Sequence, residues 1–196
     1  MNTAPTLLIL AAGQGARYRA SGGTTHKLDA MLDGVSVLER CIRTARASGL
    51  AWHVVRASAE GGVGGPSGAG MGDSIAAGVR ATRHANGWLI LPGDLPLVRA
   101  ATLQQIALAL QGQADRIAVP HFAGLNGHPV GFGPAYADAL CALSGDHGAS
   151  SIVRSARAAQ RVRDCAVEDE GIVTDIDTVT DLKRAQALLR QRAPAA

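Results

Sequence analysis

The feature that most limits the fold is a set of short β-rich segments that alternate with helical patterns. The segments TLLIL (6–10) and WLIL (88–91) are almost continuously apolar, which is typical of strands buried on both faces of a sheet. Further strand candidates are WHVV (52–55), IAV (117–119) and PVGF (129–132). This alternation predicts an α/β fold in which a mainly parallel sheet carries helices on both faces.

The helical segments contain start signals. Ser36 and Glu39 have the spacing of a capping box, which predicts a helix that begins at this point. Thr102 opens a second segment with the same spacing, so we expect a helix to start there as well. Helical periodicity is also present in the segments 73–87 and 178–192.

Length and composition are consistent with one compact domain. The chain has 196 residues, 47% of them apolar and only 3% aromatic, and its 24 glycines favour close helix–sheet packing. We expect a single domain over residues 1–192 and a frayed C-terminus at residues 193–196. The net charge of +3 suits an anionic ligand but is far from that of a nucleic-acid-binding protein, so we expect no nucleic acid partner.

Cysteine usage and hydropathy limit the cellular context. Cys41, Cys141 and Cys165 are scattered and lack the spacing of a metal site, so we expect reduced thiols and a cytoplasmic location. The first apolar run is short and has no basic segment before it, so we expect no signal peptide. No segment approaches the ~20 apolar residues that span a bilayer, and we therefore expect no membrane partner.

The loop after the first strand, AAGQGARYR, is the first candidate site. Ligands of open α/β sheets bind beyond the carboxyl ends of the strands, and Gly13 and Gly15 let a ligand approach the backbone closely. The N–H groups of such a loop can hold phosphate oxygens, and Arg17 and Lys27 are cations suited to a triphosphate, although a single Lys or Arg is more often a solvated surface charge. The loop is not a Rossmann fingerprint, because Tyr18 replaces the third glycine and helical periodicity begins only near residue 36.

The stretch LAAGQGARYR…HKL resembles the LAAGxGxRxG…K signature of nucleotidyltransferases with the MobA-like fold. Ala12 makes it more similar to the molybdenum cofactor cytidylyltransferases than to guanylyl-transferring relatives, which tend to have LAGG. Later segments match the family in the same order, so the resemblance covers nearly the whole chain. It implies a Rossmann-like three-layer domain of the nucleotide-diphospho-sugar transferase type, with a mixed, mainly parallel sheet.

Two acidic positions are candidate metal ligands. Asp94 follows the strand WLIL within PGDLP, so it lies over the same crevice as the glycine loop. Asp175 and Asp177 in TDIDTVTDL point to the same side of an extended segment, although Asp177 or Thr178 is also explained as a helix cap. Mg²⁺ prefers oxygen ligands, often one or two carboxylates completed by water and phosphate. The resemblance implies that Asp94 and Asp177 bind a catalytic Mg²⁺.

The resemblance also assigns nucleotide contacts. GAGMGDSIAAGV is similar to the family's GMSxSLxxG segment, which helps to hold the base and ribose. Asp73 within it is equally explained as a helix cap. The nucleotide-binding residues implied in this way are Leu10, Ala11, Ala12, Gly13, Gly15, Gly70, Ser74, Pro92 and Gly93.

Two further segments resemble the acceptor side of the family's site. GLNGHPVGFG is similar to the G[HN]PV segment, which implies that His128 contacts the acceptor. SGDHGASSIV is similar to the GDxGAR segment, which implies acceptor contacts from Asp146 and Gly148. Ser150 stands where relatives often have arginine.

The reaction implied is attack by an acceptor phosphate on the α-phosphorus of a nucleoside triphosphate, with loss of pyrophosphate. An ionised phosphate needs no general base, which agrees with the lack of a Ser/His/Asp or Cys/His nucleophile pattern. The catalytic candidates are Arg17, Lys27 and Asp94, with Mg²⁺ as cofactor. By resemblance the donor is CTP, the acceptor is a phosphorylated, molybdopterin-type pterin cofactor, and an acceptor molybdoenzyme is a further partner.

Two alternatives remain open at this point. The same fold transfers nucleotides to sugar phosphates and to other phosphorylated small molecules. The chain could also be a catalytically silent nucleotide-binding or chaperone-like module, which the long spacing between Arg17 and Lys27 favours and which the retention of Asp94 and Asp177 opposes. The glycine-rich segment 60–70 is either a surface loop or an active-site loop.

Overall fold

The computed structural model describes residues 4–56 and 70–192. Two predictions lie outside the described residues. They are the active-site or surface loop expected for most of the glycine-rich segment (60–69) and the fraying expected for the C-terminal residues 193–196.

Strands and helices alternate along the chain, as the sequence predicts. The strands are β1 (Thr6–Ala11), β2 (Met31–Leu32), β3 (Val35–Ser36), β4 (Trp52–Arg56), β5 (Trp88–Pro92), β6 (Ile117–Phe122), β7 (Leu125–Asn126), β8 (Val130–Phe132) and β9 (Val162–Ala166). The α-helices are α1 (Ala16–Ala20), α2 (Val37–Ser48), α3 (Met71–Ala81), α4 (Ala100–Leu110), α5 (Ala137–Cys141), α6 (Ser150–Ala158) and α7 (Val179–Arg192). Two 3₁₀ turns occupy Pro134–Tyr136 and Glu170–Val173.

A mixed sheet of seven strands forms the centre of the described structure, in the order β4-β1-β5-β8-β6-β7, with β9 paired to β6. The pairs β1–β4, β1–β5 and β6–β9 are parallel, whereas β8 runs antiparallel between β5 and β6. Five of the strands therefore share one direction and only β7 and β8 oppose it. The predicted mainly parallel, mixed sheet is confirmed.

Two hydrophobic clusters cover the two faces of this sheet. Successive residues of a strand point to opposite faces, so Leu7 and Ile9 pack in one cluster with α2, α4 and α7, whereas Leu8 packs in the other with α3, α5 and α6. All three side chains are fully buried. The result is the expected Rossmann-like three-layer arrangement of helices, sheet and helices.

The predicted helix starts are right in one case and wrong in another. The Ser36 hydroxyl accepts a hydrogen bond from the Glu39 N–H (3.3 Å), as expected of an N-cap. Helix α4, however, begins at Ala100, and Thr102 lies in its first turn. The Thr102 hydroxyl donates to the buried Asp169 carboxylate (2.7 Å) instead of capping the helix, because a charged acceptor is available there.

The structure also has a short helix, α1, directly after the glycine loop, whereas periodicity predicts no helix before residue 36. Five residues are too few to show a helical period. Among the helices of residues 4–56 and 70–192, none has both the length and the apolar character that a membrane crossing requires.

The topology brings distant segments to one edge of the sheet. Strands β1 and β5 are parallel and end at this edge, and β8 begins there because it is antiparallel to β5, with Ile90 opposite Val130. The segment after β9 returns across the same edge, where the Val167 N–H donates to the His121 carbonyl (3.1 Å). The residues that follow β1 and β5, those that precede β8 and those that precede α7 therefore meet at one place.

Candidate active site

A cleft of about 550 Å³ lies at this edge of the sheet. The sequence-predicted residues that line it are Leu10, Ala12, Gly13, Arg17, Lys27, Gly70, Ser74, Pro92, Asp94, His128 and Asp177. The predicted residues that do not line it are Ala11, Gly15, Gly93, Asp146 and Gly148. Lining residues that the sequence does not assign to the site are Leu28, Met71, Leu95, Leu125, Asn126, Gly127, Ile172, Val173 and Asp175.

A network of charged side chains occupies the floor of the cleft. The Lys27 ammonium nitrogen lies 2.6 Å from Oδ2 of Asp94 and 2.8 Å from Oδ1 of Asp177. Arg17 pairs with the other oxygen of Asp177, with Nη1 2.5 Å from Oδ2. The exposed fractions are 13% for Lys27, 18% for Asp94 and 19% for Asp177, whereas that of Arg17 is 79%. The two carboxylates are therefore neighbours, although 82 residues separate Asp94 from Asp177 in the sequence.

Backbone contacts explain why the two carboxylates meet. The Ile176 N–H donates to the Asp94 carbonyl (3.0 Å), which fixes the segment before α7 beside the end of β5. The carboxylate of Asp181 then accepts the Thr178 N–H (2.7 Å), and the Thr178 hydroxyl accepts the Asp181 N–H (3.2 Å). This reciprocal capping box begins α7 at a defined point and leaves Asp177 facing the cleft.

The glycine loop is folded back by His26, a residue that the sequence does not single out. The Leu28 N–H donates to Nδ1 of His26 (3.2 Å), so the ring proton is on Nε2, which donates to the Gly13 carbonyl (2.7 Å). Gly15 has a φ of 63°, which favours glycine, and lets the chain turn next to the His26 ring. Lys27 is thereby directed into the cleft despite its long spacing from the loop.

The lengthened segment between Arg17 and Lys27 is also tied to helix α7. The Ser21 hydroxyl donates to the Tyr18 carbonyl (2.8 Å) and accepts the N–H of Val179 (2.9 Å). This contact joins the segment to the residue that follows Thr178 and therefore to the capping box. The extra residues form ordered turns that support the charged network.

Gly93 supports Asp94 from behind without lining the cleft. Its N–H donates to the Leu10 carbonyl (2.9 Å), and an added Cβ would lie 2.8 Å from that oxygen, so a side chain does not fit there. The Gly93 carbonyl accepts the thiol of Cys41 (3.3 Å). Burial raises the pKa of Cys41 to about 12, so this thiol remains protonated and serves as a donor.

The carboxylate of Asp73 is a structural cap. It accepts the N–H of Gly70 (3.0 Å) and the N–H of Gly145 (3.1 Å), and so joins the start of α3 to the loop before α6. Gly148 in that loop is close to Met71, because an added Cβ would lie 2.7 Å from its Sδ. Asp146 and Gly148 do not line the cleft in this structure, and their assignment to the acceptor remains a prediction.

On the opposite side of the cleft, His128 is held by its neighbours. Its N–H donates to the Ile172 carbonyl (3.0 Å), and its Nδ1 is buried without a hydrogen-bond partner among the described residues. Burial lowers the pKa of His128 more than the Ile90 backbone and the charges of Asp94 and Asp175 raise it. The imidazole is therefore neutral near pH 7.

The charged network fits a divalent cation. Oδ1 of Asp94 is buried without a partner among the described residues, although a carboxylate oxygen has lone pairs to satisfy. Burial lowers the pKa of Lys27, but the charges of Asp94 and Asp177 and its hydrogen bonds to them outweigh this effect, so the pKa is raised and the ammonium stays charged. Residues 4–56 and 70–192 contain no cluster of three or more His, Cys, Asp or Glu side chains suited to a metal. Asp94 and Asp177 are two neighbouring carboxylates, and such a pair could hold Mg²⁺ together with water and phosphate.

The chain is similar to known proteins in sequence and in fold. The sequence profile of the MobA-like NTP transferase domain matches residues 7–164, most of the chain. No curated protein matches the sequence.

Solved structures with the same fold cover nearly the whole chain. Rv0371c from Mycobacterium tuberculosis is 26% identical with a TM-score of 0.68, over 94% of this chain and 98% of that one, and a second structure of it, a manganese complex, is 23% identical (TM-score 0.66; 94% and 98%). A nucleotidyl transferase from Methanothermobacter is 21% identical with a TM-score of 0.74, over 97% of this chain and all of that one. Molybdopterin-guanine dinucleotide biosynthesis protein A from Archaeoglobus fulgidus is 17% identical with a TM-score of 0.55, over 95% and 99%.

Proposed function

This chain belongs to the MobA-like NTP transferase family, and we propose that it is a Mg²⁺-dependent nucleotidyltransferase that moves CMP from CTP onto the phosphate of a molybdopterin-type cofactor. The observation that carries the proposal is the contact of Lys27 with both Asp94 and Asp177 in the cleft beside Gly13. Residues 1–192 would act as one nucleotidyltransferase domain. An acceptor molybdoenzyme would then receive the product.

In this reaction an oxygen of the acceptor phosphate forms a bond to the α-phosphorus of CTP. The bond from that phosphorus to the bridging oxygen of the β-phosphate breaks, and pyrophosphate leaves with the electron pair. An ionised phosphate has no proton to lose, so the step needs no general base. The neutral, partly buried His128 is consistent with this requirement, because it lines the cleft and can contact a ligand without adding a charge.

The chain's own cations stabilise the charge that develops on the leaving pyrophosphate. Lys27 and Arg17 lie beside the glycine loop, on the side of the cleft where the phosphates of the donor would lie. A charged group that lies against the developing charge contributes about 3 kcal/mol, or roughly a hundredfold in rate. The backbone of Ala12 and Gly13 lines the same side and can approach the phosphates without a large side chain between them.

Asp94 and Asp177 are the residues that would hold the divalent cation. The unpartnered Oδ1 of Asp94 and the pair of neighbouring carboxylates support this assignment. When bound, the cation supplies neutralisation of the phosphate charge and alignment of the phosphate oxygens. The manganese complex of Rv0371c supports a divalent requirement in a protein of the same fold.

The acceptor side of the cleft favours a ring over a sugar. Leu125, in the segment that resembles the family's acceptor side, is exposed yet lines the cleft, together with Ile172 and Val173. Exposed apolar side chains in a concave site indicate a ligand with an apolar or aromatic face, which a pterin has and a polyhydroxylated sugar lacks. The similarity to a molybdopterin-guanine dinucleotide biosynthesis protein supports the same acceptor class.

The test is pyrophosphate release from each of the four nucleoside triphosphates in the presence of Mg²⁺. The acceptors to compare are molybdenum-loaded molybdopterin, glucose 1-phosphate and no acceptor. We expect release with CTP and the pterin, and none with glucose 1-phosphate. Release only with a sugar phosphate would contradict the proposed acceptor, and nucleotide binding without any release would identify a silent binding module.

A pair of variants links this activity to the cleft. Asp94→Ala should abolish release without unfolding the protein, because it removes a carboxylate that faces the cleft. Asp164→Ala is the control, because it removes an aspartate from the exposed pair with Arg157, outside the cleft. Wild-type turnover by Asp94→Ala would refute the metal assignment.

A further inference from the structure

The charged network has an unusual occupant at its centre. A lysine ammonium lies between the two carboxylates that would hold the metal, at 2.6 and 2.8 Å from one oxygen of each. Both contacts are at hydrogen-bond distance and both pairs are largely shielded from solvent. A divalent cation bound by the same two oxygens would need the space that the ammonium group fills.

We propose that Lys27 is a built-in competitor of the divalent cation, which holds Asp94 and Asp177 together and excludes the metal until a triphosphate draws the lysine away. The inference rests on the nucleotidyltransferase site proposed above and adds an order of binding to it. Metal and triphosphate then bind together, because the triphosphate draws Lys27 away from the carboxylates and the metal takes its place between them.

Charge balance supports this exchange. Lys27 and Arg17 offset the charges of Asp94 and Asp177, so a free divalent cation is attracted less strongly than it would be by the two carboxylates alone. A triphosphate that carries several negative charges offers the lysine new partners at the adjacent glycine loop. Once the lysine has moved to the phosphates, both carboxylates regain a cation only if the metal binds.

The local structure permits the movement. Lys27 reaches the carboxylates through a flexible four-carbon stem, whereas its backbone is fixed by the contact of His26 with the Gly13 carbonyl. The ammonium group can therefore turn from the carboxylates towards the loop while the backbone stays in place. Oδ1 of Asp94, which has no partner among the described residues, indicates that the lysine does not satisfy this carboxylate completely.

The test measures Mn²⁺ binding directly, by electron paramagnetic resonance of the free ion, and does not depend on transfer. Without nucleotide, Lys27→Met should bind Mn²⁺ at least tenfold more tightly than the wild type. Lys183→Met is the matched control, because it removes the same charge from an exposed position of α7, and it should bind like the wild type. Addition of CTP should tighten Mn²⁺ binding by the wild type at least tenfold and by Lys27→Met much less.

Two results would overturn the inference. One is that Lys27→Met binds Mn²⁺ no more tightly than the wild type in the absence of nucleotide. The other is that CTP leaves the Mn²⁺ affinity of the wild type unchanged. Lys27→Arg keeps the charge and should bind Mn²⁺ as weakly as the wild type, so tight binding by this variant would also contradict a role based on charge.

A second measurement covers the case in which Lys27→Met folds poorly. The melting temperature of this variant should rise on addition of Mn²⁺ alone by several degrees more than that of the wild type, and an equal rise would overturn the inference. The pyrophosphate assay is independent of this pattern. The expected Mn²⁺ affinities, without release of pyrophosphate from any nucleoside triphosphate in the presence of any acceptor, would leave the competitor role intact and refute the proposed function.

Discussion

Asp169 should be among the most important polar residues for the stability of this protein. Its side chain is 2% exposed and its two oxygens accept four hydrogen bonds. Oδ2 accepts the Arg99 N–H (2.8 Å) and the Thr102 hydroxyl (2.7 Å), and Oδ1 accepts the Gly171 N–H (3.1 Å) and Nη2 of Arg192 (2.9 Å). One carboxylate thus joins the start of α4, the segment before α7 and the end of α7.

The loss of stability expected for Asp169→Ala depends on the buried donors that remain after the carboxylate is removed. The Arg192 guanidinium would stay largely buried without its anion, and loss of one partner of a buried ion pair costs about 3–5 kcal/mol. Each buried donor that is left without an acceptor costs about 1–3 kcal/mol, but water that enters the gap would satisfy some of them. We therefore expect the free energy of unfolding to fall by about 4 kcal/mol.

Urea unfolding of Asp169→Ala and of a matched variant measures this effect. Asp164 forms a two-fold contact with Arg157, with both distances 2.7 Å, but the exposed fractions of these side chains are 44% and 46%. Because exposed ion pairs contribute about 0–1 kcal/mol, Asp164→Ala should lose no more than that. Equal losses in the two variants, or a loss below about 1 kcal/mol for Asp169→Ala, would refute the reasoning that burial decides the value of these contacts.

Three further outcomes follow from local geometry. An added Cβ at Gly13 meets no atom within 4 Å, so Gly13→Ala should unfold like the wild type in urea, within about 0.5 kcal/mol, yet bind CTP more weakly in calorimetry because the methyl group enters the cleft. Gly72→Ala should instead lower the free energy of unfolding by about 1–3 kcal/mol, because its Cβ would lie 2.6 Å from the His147 carbonyl oxygen. Iodoacetamide at pH 8 should modify the partly exposed Cys141 in the native protein but not Cys41, because burial raises the pKa of Cys41 to about 12. Peptide mass spectrometry would show which cysteine is labelled. Rapid labelling of Cys41 would contradict its burial.

Much of the fold could be predicted because its central strands have a clear signal. The continuous apolar runs of β1 and β5 identify strands buried on both faces. Strand β9 could not be found in this way, because its sequence VRDCA places the charged Arg163 and Asp164 next to each other, as an exposed edge strand allows. The reversed direction of β8 also has no signal in its own residues, since it depends on the pairing of β5 with Val130.

The candidate site could be predicted where a residue type and its position in a strand–loop unit limit the chemistry. Asp94 and Asp177 are found from the sequence, and the structure brings their side chains together. His26 could not be found, because its role depends on which backbone groups lie beside its ring after the loop folds back. The capping role of Asp73 remains open in the sequence for the same reason, since its second donor, Gly145, is distant along the chain.

The central claim is that Asp94 and Asp177 bind one divalent cation once the nucleotide has arrived. Crystals grown with Mn²⁺ and CTP, with diffraction data collected at the manganese absorption edge, test this claim most directly. We predict a single anomalous peak from a manganese ion that is bonded to one carboxylate oxygen of Asp94 and one of Asp177. The ammonium group of Lys27 should then contact the phosphates. A peak that contacts neither carboxylate, with Lys27 still between them and the nucleotide bound, would contradict it.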